Sequence, residues 1–216
     1  LSPGDVRVTT VVDTQDFQTM TWSCLHEGGH ALYEQGLPRE AYGLPLGRAA
    51  SLGIHESQSR LWENHVGRSR DYWVHYYPIL QSLFPEQLKE ISLDAFYQAI
   101  NRVHPGLIRT QADELHYHFH VLIRYELEKA LIDGSLKTGE LKEAWNEAYY
   151  RYLHVEVPDD RQGVLQDIHW AHGSIGYFPT YSLGSFYAAQ FYAKAQEEIP
   201  GLQDQIRKGD SSALLA

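Results

Sequence analysis

Two histidines four residues apart, with a glutamate beside the first, are the feature that most constrains this chain. They lie in the stretch "HEGGHALYEQG", residues 26–36. Residues four apart lie on one face of an α-helix, so His26 and His30 can direct their imidazoles at one atom. Glu27 is turned by about 100° around the helix axis from His26. The spacing therefore predicts a helix that carries two metal ligands and, beside them, a carboxylate able to accept a proton.

Two consecutive glycines inside this predicted helix favour a functional over a purely structural interpretation. Gly28 and Gly29 each cost about 1 kcal/mol of helix stability relative to alanine. They are expected where a substrate backbone or a neighbouring strand comes close to this face of the helix. The alternative interpretation is a chance match of three letters on an ordinary polar helix.

A third ligand is expected elsewhere in the chain, because a catalytic zinc ion usually has three protein ligands. The stretch "GIHESQSRLWEN", residues 53–64, offers His55 and Glu56 near the start of a second helix. Adjacent residues on a helix do not share a face, so only one of the two should bind. We favour Glu56 and keep His55 as the alternative. A solvated first helical turn is the non-functional interpretation, since acidic residues are favoured there.

A second group of histidines competes with this site. The stretch "HYHFH" holds His116, His118 and His120, the first and last of which are also four residues apart. No glutamate lies between them and no glycine provides access. We therefore expect these histidines to line a cleft or to form hydrogen bonds in the interior rather than to bind a catalytic metal.

Hydrophobic periodicity predicts a mainly α fold, with one helical domain over residues 1–216 and a few short strands. The β-like stretch "DVRVTT" at residues 5–10 is the first such strand. The main predicted helices run from a cap at Asp13 or Thr14 to Gln35, from Ile54 to Tyr77 with Pro78 as the stop, and from about Ile108 to Ile132.

Charge and composition exclude some classes of partner. A net charge of −10, with no dense stripe of Lys and Arg, disfavours binding to nucleic acid. No apolar run approaches the roughly 20 residues that a membrane span needs. The single cysteine, Cys24, excludes an internal disulfide and indicates a reducing compartment, so we expect a cytoplasmic protein.

Six stretches, in this order along the chain, resemble the thermostable carboxypeptidase (carboxypeptidase Taq) family of H-E-x-x-H metallopeptidases. They are "DVRVTT" at 5–10, "HEGGHALYEQGL" at 26–37, "GIHESQSRLWEN" at 53–64, "IRTQADEL" at 108–115, "GVLQDIHW" at 163–170 and "GYFPTYSLG" at 176–184. The resemblance implies a metallocarboxypeptidase that uses zinc, or cobalt, to remove single residues from the C-termini of peptides. It also implies a homodimer and a helical zincin fold similar to those of neurolysin and angiotensin-converting enzyme.

The resemblance also implies roles for individual residues. It makes His26, His30 and Glu56 the metal ligands and Glu27 the general base. Arg109 is the candidate for the terminal carboxylate of the substrate, because a planar guanidinium can form paired hydrogen bonds with it. The alternative for Arg109 is an ion pair with Asp113, four residues further on.

The remaining assignments are less specific. By analogy with related helical metallopeptidases, His172 and Tyr181 are expected to stabilise the oxyanion, with Tyr177 as the alternative or as a substrate contact. Arg7 is a further substrate-side candidate, or simply a partner of Asp5. The sequence assigns no role to Gln166, Asp167 and His169, and hydrogen bonding to the outer side of a metal ligand is one interpretation of them.

The resemblance implies a shortened form, because family chains are more than twice as long and carry a helical N-terminal part that is absent from this sequence. Two other functions remain open. One is a metal-dependent oligopeptidase or endopeptidase with the same core, and the other is a catalytically weak metal-binding fragment.

Overall fold

The protein is mainly helical, as the periodicity predicts. The computed structural model describes residues 4–215. The α-helices are α1 (Phe17–Gly36), α2 (Leu52–Arg60), α3 (Arg70–Leu83), α4 (Pro85–Leu88), α5 (Leu93–Ile100), α6 (Glu114–Asp133), α7 (Leu141–Leu153), α8 (Pro179–Glu198), α9 (Leu202–Ile206) and α10 (Ser212–Leu215). A π-helical segment, Leu61–Gly67, follows α2 directly, and short 3-10 turns lie at Arg39–Ala41, Pro45–Gly47, Arg109–Gln111 and Thr138–Glu140.

The predicted short strands are not found among residues 4–215. The stretch "DVRVTT" contains one isolated bridge residue, Asp5, and is otherwise irregular. A strand needs a neighbouring extended segment to complete its ladder of hydrogen bonds. Within the described part of the chain this stretch has no such ladder, so the alternation of its side chains does not produce a strand.

Two helix boundaries differ from the prediction. Helix α1 begins at Phe17 because the Asp16 carboxylate accepts hydrogen bonds from the backbone N–H groups of Gln18 and Thr19, so neither Asp13 nor Thr14 is the cap. The predicted long helix begins at Glu114 rather than near Ile108. In the same way its cap, Asp113, accepts from two backbone N–H groups of the first turn.

The predicted helix over residues 54–77 is interrupted, and Pro78 does not end it. The backbone breaks after Gly67, and a new helix, α3, is capped by the side chain of Ser69. Pro78 lies inside α3, at a cost of about 3 kcal/mol for the lost hydrogen bond and the clash of its ring. Tyr77 and Leu80 are buried on either side of it, and burial of such side chains contributes about 1.5–3 kcal/mol each, which offsets the cost.

Two compact units make up the described chain. The first comprises the residues up to Asn101 together with those from Leu183, and the second is Arg102–Ser182. The assignment of residues 1–216 to one catalytic domain therefore stays a prediction. None of the helices described between residues 4 and 215 is long and apolar enough to cross a membrane.

Aromatic side chains dominate the core of the first unit. Helices α1, α3 and α5 contribute Trp22, Trp73, Tyr77, Leu80, Phe96 and Ile100. The indole rings of Trp22 and Trp73 meet edge to face with their centroids 6.4 Å apart, and the Arg68 guanidinium lies 4.2 Å from the ring centroid of Trp22. This core fixes α1 against α3 and so holds the two predicted histidine ligands on a rigid element.

The core of the second unit lies between α6 and α7. Its buried residues are Ile123, Leu127, Trp145, Tyr149 and Leu153. The Trp145 and Tyr149 rings stack with their centroids 5.1 Å apart. Gly134 ends α6 in the left-handed conformation, with φ of 82°, which only glycine adopts without strain.

The two glycines of α1 have different environments. A β-carbon at Gly29 would lie 2.5 Å from the backbone oxygen of Gln58 and 2.6 Å from the α-carbon of Ser59. A β-carbon at Gly28 would have no atom within 4 Å apart from the neighbouring backbone of its own helix. At Gly29 the backbone that comes close is therefore that of helix α2 and not that of a neighbouring strand. Approach of a substrate backbone at the open position, Gly28, stays a prediction.

We predict that Gly29→Ala lowers the free energy of unfolding by about 1–3 kcal/mol, because the added methyl group would push α2 away from α1. The matched control is Gly28→Ala, which should leave stability unchanged or raise it by about 0.5–1 kcal/mol, since alanine favours the helix and meets no neighbour. Urea unfolding of the two variants measures both effects. A Gly29→Ala protein as stable as the wild type would contradict the close packing of the two helices.

Candidate metal centre

Helices α1 and α2 bring the three predicted metal ligands together. The Nε2 atoms of His26 and His30 lie 3.6 Å and 3.4 Å from Oε2 of Glu56. One ligand atom from each of the three residues lies within 4.8 Å of the others. Among the residues that the structure describes, this is the one group of three or more such side chains that converges on a point.

The spacing of these atoms fits a zinc ion. Tetrahedral zinc with bonds of about 2.0–2.1 Å holds neighbouring ligand atoms about 3.4 Å apart. The two histidine-to-carboxylate distances agree with that value, and two imidazole nitrogens with one carboxylate oxygen are a common donor set of catalytic zinc sites. Three protein ligands leave a fourth position of the tetrahedron open, as a catalytic site requires.

Arg60 determines which oxygen of Glu56 faces the histidines. Its Nε donates a hydrogen bond of 2.9 Å to Oε1 of Glu56, which leaves Oε2 directed at the two imidazoles. Burial raises the pKa of the Glu56 carboxyl, but the hydrogen bond with His30 and the charge of Arg60 outweigh burial and lower the pKa to about 2. The carboxylate is thus ionised and oriented as a single-oxygen ligand.

The outer nitrogen of His26 contacts a second buried carboxylate, which is not among the residues singled out from the sequence. Oε2 of Glu63 lies 2.9 Å from Nδ1 of His26. Arg60 and Arg68 approach Glu63 at 3.2 Å and 3.5 Å, and against the effect of burial Arg60 and His26 lower its pKa to about 2. A carboxylate in this position keeps the proton on Nδ1 and leaves Nε2 for a metal.

The backbone that carries Glu63 is the π-helical segment after α2. Glu56 and Glu63 are seven residues apart, close to two helical turns, so both carboxylates can face α1. The signal in the sequence was this spacing, with Arg60 between the two acids. The predicted helix over residues 54–77 already allowed both acids to share a face, but only its packing against α1 showed that Glu63 meets His26.

His55 is not a third ligand, because its ring contacts the outer side of His30. Its Nδ1 lies 2.6 Å from Nδ1 of His30, and its Nε2 lies 2.9 Å from Oε1 of Glu34. Of the two candidates that the sequence left in "HES", Glu56 therefore faces the metal position and His55 faces away from it.

A glycine of α8 makes room for the side chain of Glu56, the third predicted ligand. A β-carbon at Gly184 would lie 2.5 Å from Cγ and 2.7 Å from Cβ of Glu56. Gly184 is buried, so this contact is part of the packing of the first unit.

Glu27, the predicted general base, is half-buried on α1 next to His26.

Arg109 is buried in the second unit, where its ion-pair partner is Asp167 and not Asp113. Its Nε and one terminal nitrogen donate to Oδ1 of Asp167 at 3.1 Å and 2.8 Å, and its other terminal nitrogen donates to the Tyr117 hydroxyl at 3.0 Å. Asp113 instead caps α6 and lies 2.7 Å from Nδ1 of His116. The alternative interpretation, an ion pair of Arg109 with Asp113, is therefore wrong, because Arg109 lies on a 3-10 turn before α6 rather than on that helix.

Asp167 joins two buried arginines. Its second oxygen accepts a 2.6 Å hydrogen bond from Nε of Arg124, which is fully buried. Burial raises the pKa of the Asp167 carboxyl, but the charges of Arg124 and Arg109 hold it below its usual value. Gln166 accepts from the backbone N–H of Arg109 and donates to the Tyr149 hydroxyl. These two residues, to which the sequence assigned no role, bind the arginines of the second unit.

The other predicted site residues also lie among side chains of their own unit. Nε2 of His169 lies 2.9 Å from the Tyr181 hydroxyl, and the His169 and Tyr177 ring centroids are 5.3 Å apart. His172 is exposed, with Nδ1 3.1 Å from the Ser174 hydroxyl. Their catalytic and substrate roles stay predictions.

Arg7 forms the ion pair that its alternative interpretation predicted. Its guanidinium makes two hydrogen bonds, of 2.8 Å and 2.9 Å, to the carboxylate of Asp5, and both side chains are largely exposed. Such a pair contributes little to stability, because solvent screens it.

The histidines of α6 do not converge on a point. His116 lies beside Asp113, His118 lies 3.0 Å from the Ser182 hydroxyl, and Nδ1 of His120 lies 2.9 Å from the Tyr149 hydroxyl. Burial and the nearby Arg124 lower the pKa of His120 to about 3, so its imidazole is neutral. The expected hydrogen bonding in the interior is confirmed for His120.

Comparison with known proteins adds a whole-chain match to this geometry. A family model described as carboxypeptidase Taq (M32) metallopeptidase matches residues 1–216. The sequence is 49% identical over 215 residues to thermostable carboxypeptidase 1 of Thermus thermophilus, covering 100% of this chain and 42% of that protein. It is 46% identical over 210 residues to carboxypeptidase 1 of Bacillus subtilis, covering 97% of this chain and 42% of that protein.

A solved structure gives the same result. The M32 carboxypeptidase from Deinococcus radiodurans R1 superposes with a TM-score of 0.95 at 47% identity, over 99% of this chain and 43% of that one. The chain thus spans less than half of the length of each of these relatives.

We predict that His26→Ala abolishes stoichiometric zinc binding, because it leaves two protein ligands at the centre. His116→Ala should retain the metal, since His116 contacts Asp113 on another helix. Metal analysis after exhaustive dialysis against zinc-containing buffer distinguishes the two variants. Loss of zinc from His116→Ala but not from His26→Ala would place the metal elsewhere.

Proposed function

Because the chain belongs to the carboxypeptidase Taq (M32) metallopeptidase family, we propose that it is a zinc-dependent metallocarboxypeptidase that hydrolyses the C-terminal peptide bond of peptides. The observation that carries this proposal is the convergence of His26, His30 and Glu56 at distances that suit zinc. Cobalt can occupy a site with the same donors. Since the chain spans 42% of the curated relatives, the activity of the chain itself is part of the proposal.

The residues of the centre divide the work of peptide hydrolysis. When bound, a zinc ion polarises a peptide carbonyl and lowers the pKa of water from its bulk value toward about 7. Glu27 takes a proton from the attacking water and later delivers it to the leaving amine. His26, His30 and Glu56 hold the metal at a fixed point, and Arg60 and Glu63 keep two of these ligands oriented.

Other residues are assigned from the family resemblance. We propose His172 and Tyr181 as donors to the oxyanion, with Tyr177 as a substrate contact or alternative donor. Arg109 is retained as the candidate for the substrate carboxylate, although its guanidinium is already bonded to Asp167. Arg7 is the weakest candidate, since it is paired with Asp5.

The wider expectations belong to the same proposal. The substrates would be peptides with a free C-terminus, with neither nucleic acid nor membrane as a partner. Support for a cytoplasmic location is the single cysteine, and support for a homodimer is the family resemblance.

We predict that Glu27→Gln lowers kcat by roughly 10²–10⁴-fold, the usual contribution of a positioned general base, while the metal stays bound. Glutamine has nearly the same shape as glutamate but cannot accept the proton. Turnover of an N-blocked dipeptide and zinc content are measured on the same preparation. The control is Glu40→Gln, an exposed residue that should change neither quantity. Full activity of Glu27→Gln would exclude Glu27 as the base.

A free C-terminus should be required by a carboxypeptidase and not by an endopeptidase. We predict that the chain hydrolyses a peptide with a free C-terminal carboxylate at least about tenfold faster than the same peptide with a C-terminal amide, since one lost ionic contact corresponds to about 1.4 kcal/mol or more. Chromatographic analysis of the products gives both rates. Equal rates would favour the endopeptidase or oligopeptidase alternative, and zinc binding without turnover would favour a metal-binding fragment.

A further inference from the structure

We propose that Glu34 and His55 are positioning residues that act on the metal ligand His30 through a directed pair of hydrogen bonds. The role rests on the proposed zinc site, and neither residue is among its three proposed ligands. The ring of His55 lies between His30 and Glu34, with contacts of 2.6 Å on one side and 2.9 Å on the other.

The metal fixes the direction of these hydrogen bonds. If Nε2 of His30 binds a cation, the proton of the neutral imidazole must lie on Nδ1. That Nδ1 faces Nδ1 of His55 at 2.6 Å, which must therefore be the acceptor. The proton of His55 then lies on its Nε2, which donates to the Glu34 carboxylate. With Nδ1 of His30 and Nε2 of His55 as donors, and Nδ1 of His55 and the Glu34 carboxylate as acceptors, both contacts are satisfied.

Local structure places the three residues in this order. His30 and Glu34 are four residues apart on α1 and share one face, which also carries His26. The Ser51 side chain caps α2 by accepting from Ile54 N–H, so His55 lies on the first turn of that helix, opposite α1. The centroids of the His30 and His55 rings are 4.6 Å apart.

Tyr33 holds the outer side of His55. Its ring meets the His55 ring edge to face at 5.2 Å, and its hydroxyl accepts a hydrogen bond of 3.2 Å from the backbone N–H of Ala50. His55 is therefore confined between α1 and the segment before α2, which favours a single ring orientation.

The two histidine ligands are thus supported in different ways. His26 meets the buried carboxylate of Glu63 directly, whereas His30 reaches the partly exposed Glu34 only through His55. The backbone oxygen of His55 also lies 3.0 Å from Nδ1 of His30 and can accept its proton. Removal of the His55 side chain should therefore leave the tautomer of His30 intact while it disconnects Glu34.

This arrangement makes a specific prediction about coupling. The zinc dissociation constant is measured by competition with a chelator for the whole chain and three variants: Glu34→Gln, His55→Ala and the double variant. We expect Glu34→Gln to weaken binding by roughly 10-fold, within the range for such outer partners of metal ligands. In the His55→Ala background the same change should have no further effect.

Two outcomes of this cycle would overturn the proposal. Glu34→Gln could weaken zinc binding equally with and without His55, which would mean that its charge acts through space. Alternatively, the Glu34→Gln variant could bind zinc with the affinity of the wild type, which would mean that Glu34 has no role in zinc binding. Glu40→Gln is the matched control, because it removes one negative charge from an exposed side chain. Its dissociation constant should equal that of the wild type.

A spectroscopic measurement tests the same geometry without reference to affinity. In the zinc-bound protein labelled with ¹⁵N-histidine, His30 should carry its proton on Nδ1 and His55 on Nε2. A proton on Nδ1 of His55 would overturn the inference. Thermal unfolding of each variant identifies any loss of fold, and the NMR assignment on the wild type stands even if a variant is unstable.

The failure of this inference is distinguishable from the failure of the proposed function. If the wild type and His30→Ala bind zinc equally, the proposed metal centre is wrong and the inference falls with it. If His30→Ala loses zinc while Glu34→Gln retains wild-type affinity, the metal centre stands and only the role of Glu34 and His55 is refuted.

Discussion

The close approach of α1 and α2 at Gly29 is the constraint on which the rest of the site depends. With glycine at this position the backbone of α2 passes against α1 at Gln58 and Ser59. Glu56 thereby reaches the face of α1 that carries His26 and His30. Larger residues at this contact would separate the helices, and a carboxylate displaced by one or two ångströms would no longer complete the proposed tetrahedral site. The second crowded glycine, Gly184 on α8, leaves space for the side chain of Glu56.

Charge balance explains how this centre tolerates two buried carboxylates. An isolated buried charge is costly, and burial alone would favour the protonated forms of Glu56 and Glu63. Arg60 contacts both carboxylates, His26 lies against both from α1, and His30 lies against Glu56. The carboxylates therefore stay ionised and oriented in the protein alone, so the proposed metal would bind with little rearrangement.

The second unit also neutralises a buried carboxylate with arginines, here within its own core. Asp167 lies between Arg109 and Arg124, with Gln166 fixing the backbone of the turn that carries Arg109. Removing one member of such a buried group leaves an uncompensated charge, which typically costs about 3–5 kcal/mol. Residues of the "IRTQADEL" and "GVLQDIHW" stretches are thus linked by hydrogen bonds and an ion pair. Stability of the second unit therefore explains why some of these polar residues occur in the two stretches.

Helical spacing alone determined that His26, Glu27 and His30 form one local unit, and periodicity determined that the chain is mainly helical, because both depend on residues at most a few positions apart. Only the tertiary structure decided between Glu56 and His55, since the choice depends on the rotation of α2 against α1. It also assigned Glu63 to His26 and Asp167 to Arg109, pairs that lie 37 and 58 residues apart in the chain. Pro78 stays inside a helix for the same reason, because burial of Tyr77 and Leu80 outweighs its local preference. Contacts between distant segments depend on how helices pack, and no local spacing encodes that.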